Sequence, residues 1–303
     1  MAKPLQFIIF FVAAVAAGWA ALSHFEASAG LTRSVIYQPP KEVKAVTLDG
    51  LPEGGTVETV RTADGLDLKG IVYRGDGEGD MFLVFHGNAS TANGTAQWLR
   101  GLTEHRGTVI FAEYRGYSGN PGKPTEKGTA LDADAWSALA FKIAMQEHHS
   151  QRVIYLGHSL GGGVAFQAAE QRPPHALFTV GTFTDTPSLA PKIARGIMTD
   201  RYDNKAKLRT LRSPYYIIHG TDDRVVPVSH AKALFETAEQ AGIAGGAVVF
   251  DGEGHQPSAQ KVLNAVGFAL QREELKGDKP LPNWQGAHVM RFRKNVAAPS
   301  PAK

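Results

Sequence analysis

The stretch VIYLGHSLGGGVAF, Val153 to Phe166, places one serine between glycines, after an apolar run and before a small-residue run. Serine is a favoured helix N-cap and glycine is common in turns, so Ser159 reads at first as an ordinary cap. The flanks argue for more. Val153 to Leu156 is a β-branched and aromatic run suited to a buried strand, and Gly162 to Ala169 suits a helix packed closely through its small residues. A strand, a sharp Gly-x-Ser-x-Gly turn and a helix together describe a nucleophile elbow, which lifts the serine hydroxyl above the end of a sheet. At such an elbow the backbone N–H of Leu160 opens the helix and is placed to stabilise an oxyanion.

A serine hydroxyl needs a base, and the base needs a carboxylate. On the fold that carries this elbow the acid and then the histidine follow in chain order, each after a strand. PYYIIHGTDDRVVP offers a strand, Tyr215 to His219, and then two adjacent aspartates. AVVFDGEGHQP offers a strand, Ala247 to Phe250, and then His255. Asp222 and Asp223 cannot both address one imidazole; the acid expected is Asp223, the second of the pair in a His-Gly-x-x-Asp-x-x-Val-Pro arrangement, with Asp222 a turn residue. Asp251 and Glu253 are expected to be solvated loop charges. The second oxyanion donor is expected from MFLVFHGNAS: Met81 to Phe85 is a strand, Gly87 allows close approach, and the N–H of Asn88 donates. His86 is expected to be buried and satisfied by loop carbonyls.

At these residues the chain resembles the α/β-hydrolase superfamily, and within it the membrane-anchored group of Bem46-like proteins and ABHD13- and ABHD17-like hydrolases. The resemblance runs from about Val35 to Leu270, on SVIYQPP, VFHGNA, EYRGYSGNPGKPTEKG, GHSLGG, GTFTD, DRYDNKAKLRTLRSPYYIIHGTDDRVVP and DGEGH. The third segment departs from the group's pattern: Ser118 stands where glycine is usual, Asn120 where serine is usual, and Glu113 where aspartate is usual. That loop is expected near the mouth of the site. The resemblance implies a serine hydrolase of esters, thioesters or amides with Ser159, Asp223 and His255 as its triad, Asn88 and Leu160 as oxyanion donors, and a small acylated substrate.

The remaining chain suits one α/β domain, a mostly parallel sheet flanked by helices with a small cap. Its middle alternates strand Met81 to Phe85, helix Ala92 to Glu104, strand Thr108 to Ala112, helix Gly128 to Glu147 and strand Val153 to Leu156, a βαβ rhythm that implies parallel pairing. GTVETVRT and LDLKGIVYR read as an antiparallel edge hairpin. Residues 186–213 leave room for about two short helices as a cap, with Phe183, Leu189, Ile193 and Ile197 as candidates for an acyl pocket. The expected division is an anchor or signal over residues 1–29, the hydrolase domain over 30–275 and a basic, Pro-containing tail over 276–303.

From Leu5 to Leu22 only Gln6 interrupts an apolar run, behind a basic start at Lys3. The run is at the low edge for a membrane span, and Ala27-Ser28-Ala29 fits a cleavage site, so a secreted or periplasmic product is one alternative. An uncleaved anchor is favoured because the resembling group keeps one, with the catalytic domain on the far, periplasmic side of the membrane. No cysteine is present, which excludes disulfides and thiol catalysis. The pI near 9.0 suggests nucleic acid at first, but of the net charge of +3, six basic residues and one acid from Lys276 onward put a net +5 in the tail and leave about −2 elsewhere, so no nucleic-acid partner is expected. The tail is expected to be partly disordered and in reach of anionic lipid, or a solvated terminus with no partner. Neither a cofactor nor a metal is expected; the Glu147-His148-His149 run lies at a helix end where basic residues are favourable in themselves. Two alternatives to an ester or thioester hydrolase stay open: an aminopeptidase-like amide hydrolase, with Glu126 or Asp185 holding the free amine, and a catalytically idle scaffold.

Overall fold

The computed structural model describes residues 30–292 apart from residues 31, 44, 105, 148–150 and 275–282. Strands Met81–Phe85 (β3), Thr108–Ala112 (β4) and Ala176–Val180 (β6) are buried at every position, as apolar runs must be when both faces of a sheet are covered. Alternate residues of one strand feed two cores. Leu83 and Phe85 join Tyr155, Leu177 and Ile217 on one face; Phe82 and Val84 join Ile154, Leu156, Phe178 and Ile218 on the other.

The other strands are Gly55–Arg61 (β1), Asp67–Tyr73 (β2), Val153–His158 (β5), Tyr215–Gly220 (β7), Gly245–Phe250 (β8) and Ala287–Arg291 (β9). The nine lie in the order β1-β2-β4-β3-β5-β6-β7-β8-β9. Pairing is parallel from β4 through β8 and antiparallel at both edges, where β1 pairs β2, β2 pairs β4 and β8 pairs β9. The edge hairpin has the expected arrangement, with Arg61 opposite Asp67 around the Ala63-Asp64-Gly65 turn.

Helices Ala92–Trp98 (α1), Glu126–Glu147 (α2), Leu160–Gln171 (α3), Thr186–Leu189 (α4), Asn204–Arg209 (α5), Ser229–Gln240 (α6) and Ala259–Glu274 (α7) connect the strands. Thr91 caps α1 by accepting from the Gly94 N–H at 3.0 Å. The helix expected to run to Glu104 tightens into a 3₁₀ turn at Arg100–Leu102, where α7 packs against it: a Cβ on Gly101 would stand 2.6 Å from Leu263 Cδ1.

Three expectations are corrected. Ala287–Arg291, inside the stretch expected to be a partly disordered tail, is the ninth strand. Its anchor is Phe292, 4% exposed, whose ring meets Tyr215 and Phe235; Trp284 lies parallel to Phe250. The cap contains three short helical pieces rather than two, α4, a 3₁₀ stretch at Lys192–Ile197, and α5. Phe183 belongs to the core, edge-on to Tyr202, while Leu189, Ile193 and Ile197 face solvent and enclose no acyl pocket. The apolar run Leu5 to Leu22 and the Ala27-Ser28-Ala29 motif lie outside the described residues. Among those described, no helix is long and apolar enough to cross a membrane.

Candidate active site

The loops that leave the carboxyl ends of β3, β5, β7 and β8 bring the predicted site residues together. Ser159 joins β5 to α3 in a left-handed conformation, φ 53° and ψ −117°, which an L-residue adopts only when its surroundings enforce it. The enforcement is visible in the flanking glycines. A Cβ on Gly157 would stand 2.3 Å from Gly161 O, and one on Gly161 would stand 2.2 Å from Phe85 O, so only glycine lets the elbow close and press against the end of β3. The Ser159 N–H donates to Val180 O at 2.8 Å, tying the turn to β6.

His255 Nε2 lies 2.9 Å from Ser159 Oγ, and His255 Nδ1 lies 2.8 Å from Asp223 Oδ2. An ionised carboxylate only accepts, so Nδ1 carries the proton, and Nε2 is left to accept from the serine hydroxyl. Asp223 is buried and saturated with donors. Its Oδ1 accepts from the N–H groups of Val225 at 2.9 Å and Val226 at 2.8 Å, and its Oδ2 receives His255 with His219 Nε2 at 3.3 Å. Burial opposes the charge, but the hydrogen bonds from His219, His255 and Val226 prevail and hold this carboxyl well below the usual range. Asp222 is turned away, its carboxylate accepting only from Thr221 Oγ1 at 3.1 Å among the described residues.

The turn His86-Gly87-Asn88 abuts the serine: a Cβ on Gly87 would approach Ser159 Cβ to 3.5 Å and His158 Nδ1 to 2.9 Å. Neither the Asn88 nor the Leu160 N–H donates to another described residue, so both are unspent donors beside the serine. The Asn88 side chain is fixed from outside the turn, its Oδ1 accepting from the Gln38 N–H at 2.7 Å and the Tyr117 hydroxyl at 3.1 Å. Gln38 belongs to a segment strapped to the cap, where Arg33 and the Tyr37 hydroxyl both bind the buried Asp200, at 3.2 and 2.8 Å.

His86 departs from expectation. Its Nδ1 does meet a carbonyl, Gly87 O at 2.7 Å, but Nε2 meets the Glu113 carboxylate at 2.5 Å. The Tyr114 to Thr125 loop is also more interior than expected: Ser118 donates to Glu113 Oε2 at 2.6 Å, and Asn120 exchanges hydrogen bonds with the Lys69 backbone on β2. Glu126 and Asp185 are both committed to the backbone, Glu126 to the Arg201 N–H at 2.6 Å and Asp185 as the cap of α4. Glu253 pairs with Lys261 at 2.8 Å, and Asp251 with His288 at 3.1 Å. Glu147 pairs with Arg74 at 3.3 Å, while His148 and His149 lie outside the described residues; among those described, no group of three potential ligands suits a metal.

Two histidines at the site escape the sequence reading. His158, the residue before the serine, donates from Nε2 to His255 O at 3.0 Å and sits between the rings of Trp98 and His255. Burial first, and His255 second, push its pKa down to about 4, so the ring is neutral. His219 donates from Nε2 to Val226 O at 2.8 Å beneath Asp223, and its Nδ1 has no partner among the described residues. The available signal was a polar side chain on an otherwise apolar strand, one position short of its carboxyl end.

The alpha/beta hydrolase fold model matches residues 80–198. An esterase of Pyrococcus furiosus superposes with a TM-score of 0.61 at 17% identity, covering 78% of this chain and 98% of that one, a likeness of fold. In sequence, alpha/beta hydrolase domain-containing protein 17B of Xenopus laevis is 32% identical over 52% of this chain and 55% of its own length. An uncharacterised protein of Mycobacterium tuberculosis is 32% identical over 215 residues, 69% of this chain and 75% of the relative. On that relationship, and on the sheet order and matched fold model, the chain belongs to the alpha/beta hydrolase superfamily.

Proposed function

We propose that the protein is a serine hydrolase that cleaves carboxylic esters or thioesters through an acyl-enzyme. The observation that carries this reading is the unbroken line from Ser159 Oγ through His255 to Asp223, with links of 2.9 and 2.8 Å. In this reading His255 Nε2 takes the hydroxyl proton as Ser159 attacks the carbonyl carbon, and Asp223 stabilises the imidazolium that results. The N–H groups of Asn88 and Leu160 receive the developing oxyanion. The imidazolium then protonates the leaving group; water, deprotonated by the same ring, releases the acid and restores the serine.

An ester or thioester is favoured over an N-terminal peptide because the acids suited to a free amine, Glu126 and Asp185, are already engaged by backbone N–H groups. The narrower kinship with Bem46-like and ABHD13-like hydrolases belongs to this proposal, as does an uncleaved anchor at Leu5 to Leu22 that holds the catalytic domain on the far side of the membrane. Protease treatment of right-side-out spheroplasts tests the placement: digestion supports it, and protection of the domain refutes it.

The chemistry is tested by fluorophosphonate labelling of the detergent-solubilised protein beside Ser159→Ala, with p-nitrophenyl esters of increasing chain length assayed in parallel. Labelling that disappears in the variant, together with ester turnover, supports the reading. A folded wild type that neither labels nor turns over any ester refutes it.

A further inference from the structure

We infer that the cap face around Leu189 to Ile197 is a docking surface for membranes containing anionic phospholipid. The 3₁₀ stretch Lys192–Ile197 turns every side chain described in it to solvent, including Ile193 at 93% and Ile197 at 46% exposure, and Leu189 precedes it at 38%. Residues three apart eclipse in such a helix, so Lys192 and Arg195 share one edge while Ile193 and Ile197 stand on the other two. Water meets this apolar surface at a cost that only a covering phase removes.

Charge identifies the phase. Residues 186–213 carry seven Lys and Arg against two Asp. Asp200 is buried and binds Arg33 and Tyr37, and Asp203, though exposed, caps α5 through the Ala206 N–H, which leaves the seven basic residues in excess. Lys192 and Arg195 pair with no described carboxylate, and neither do Arg201, Lys205, Arg209 and Arg212. Aliphatic side chains interleaved with unneutralised basic ones fit a headgroup and acyl boundary. Single-stranded nucleic acid fits less well, since none of the large hydrophobic side chains exposed among the described residues is aromatic and stacking is not on offer.

Position agrees. The cap leaves the carboxyl end of β6, the end of the sheet that holds Ser159. Val225, 61% exposed, stands two residues from Asp223, and Val35, 66% exposed, rides on the segment that Arg33 fastens to Asp200. The apolar run Leu5 to Leu22 ends eleven residues before Arg33, a reach of at most about 40 Å, so a chain held by that run keeps the cap beside the same bilayer. Docking in this orientation turns the serine end of the sheet toward the lipid and delivers acyl substrates from it; delivery rests on the proposed hydrolysis, and docking does not.

The absence of cysteine permits a direct test with the full chain in proteoliposomes. A polarity-sensitive fluorophore is attached at Ile193→Cys or, as control, at Met145→Cys, which is 69% exposed near the end of α2 farthest from the serine end of the sheet. In phosphatidylglycerol-containing vesicles with brominated acyl chains, the probe at 193 is expected to shift to the blue and be quenched, at a depth of about 5–10 Å, while the probe at 145 does neither. Adding Lys192→Glu and Arg195→Glu is expected to reduce the docked population by about tenfold or more. A probe at 193 that stays in water, or one quenched no more than the probe at 145, overturns the inference, as does docking on single-stranded DNA or polyglutamate in preference to vesicles. Fluorophosphonate labelling of the same samples reports separately on the hydrolase reading.

Discussion

The Glu113 carboxylate lies 2.5 Å from His86 Nε2 with both side chains wholly out of solvent, and because His86 Nδ1 already faces a carbonyl, one proton must be held between the two. Glu113 binds more than the histidine. It also accepts from the N–H groups of Ala92 at 3.0 Å and Tyr114 at 3.2 Å and from Ser118 Oγ at 2.6 Å. One carboxylate thus ties the turn that carries Asn88 to the start of α1 and to the following loop.

Ser118 reaches Glu113 from a left-handed backbone, φ 45°, where glycine rests without strain. Two of the three departures from the resembling group's pattern, glutamate for aspartate and serine for glycine, therefore act as one unit. Glu113→Asp alone is expected to destabilise the protein by about 2–3 kcal/mol, by withdrawing an acceptor from buried donors. Ser118→Gly alone trades a lost hydrogen bond against relieved strain and should change little. In the double variant the shorter carboxylate no longer leaves a buried hydroxyl unpaired, so a chemical-denaturation cycle is expected to show favourable coupling of about 1 kcal/mol; strict additivity would separate the two positions.

The elbow stores strain at Ser159, and two variants without the hydroxyl measure it. Ser159→Ala keeps the Cβ in the left-handed conformation, whereas Ser159→Gly removes it. Residues held in such regions cost of order 1–3 kcal/mol, offset in part by the greater unfolded-state freedom of glycine, about 0.5–1 kcal/mol. Ser159→Gly is expected to melt above Ser159→Ala by about 2–4 °C for each kcal/mol of difference. Both are expected to be inactive. A lower melting temperature for the glycine variant would show that the turn is unstrained.

Asp222 and Asp223 are separated by geometry alone. Asp223→Asn retains an oxygen for the Val225 and Val226 N–H groups but presents an amide to His255 Nδ1, which forces the wrong tautomer and removes the counter-charge to the imidazolium. A loss in kcat of about 10³–10⁴-fold is expected with the fold intact. Asp222→Asn is expected within about twofold of wild type, as for most surface substitutions. Comparable losses from both variants would contradict the assignment.

The parallel strands and the elbow were legible because local pattern and tertiary role coincide there: Val153 to Leu156 is apolar on both faces and is buried on both. Ser159, Asp223 and His255 were legible as an ordered set, each in the loop that follows a strand. The ninth strand was not, because Ala287–Arg291 has little strand character of its own and is selected by register with β8 and by the pocket that Tyr215 and Phe235 offer Phe292. The cap misled in the opposite sense. Leu189, Ile193 and Ile197 have the composition of a pocket lining, but whether such residues turn inward or outward is decided by tertiary packing rather than by type. His158 and His219 were hidden for a related reason: an isolated histidine on a strand gains meaning only when its neighbours are known.

His158 gives the protein a pH dependence of stability with a definite sign. Its folded pKa is about 4, against about 6.5 in an unfolded chain. The unfolded state therefore takes up a proton that the folded state refuses as pH falls from 6.5 toward 4. Stability is fully present above pH 6.5 and is lost across that interval, by up to about 3 kcal/mol. His230 on α6, also lowered by burial, adds in the same direction. The Asp223 carboxyl, held below its usual range, contributes a loss that begins only below the ordinary carboxylate pKa near 4, so the two windows are separable. Urea unfolding between pH 7.5 and 4.5 is expected to show a declining midpoint in the wild type. His158→Gln keeps an N–H donor for His255 O and removes the titrating ring, so its midpoint is expected to fall less over the same range; a decline as steep as that of the wild type would assign the dependence to other groups.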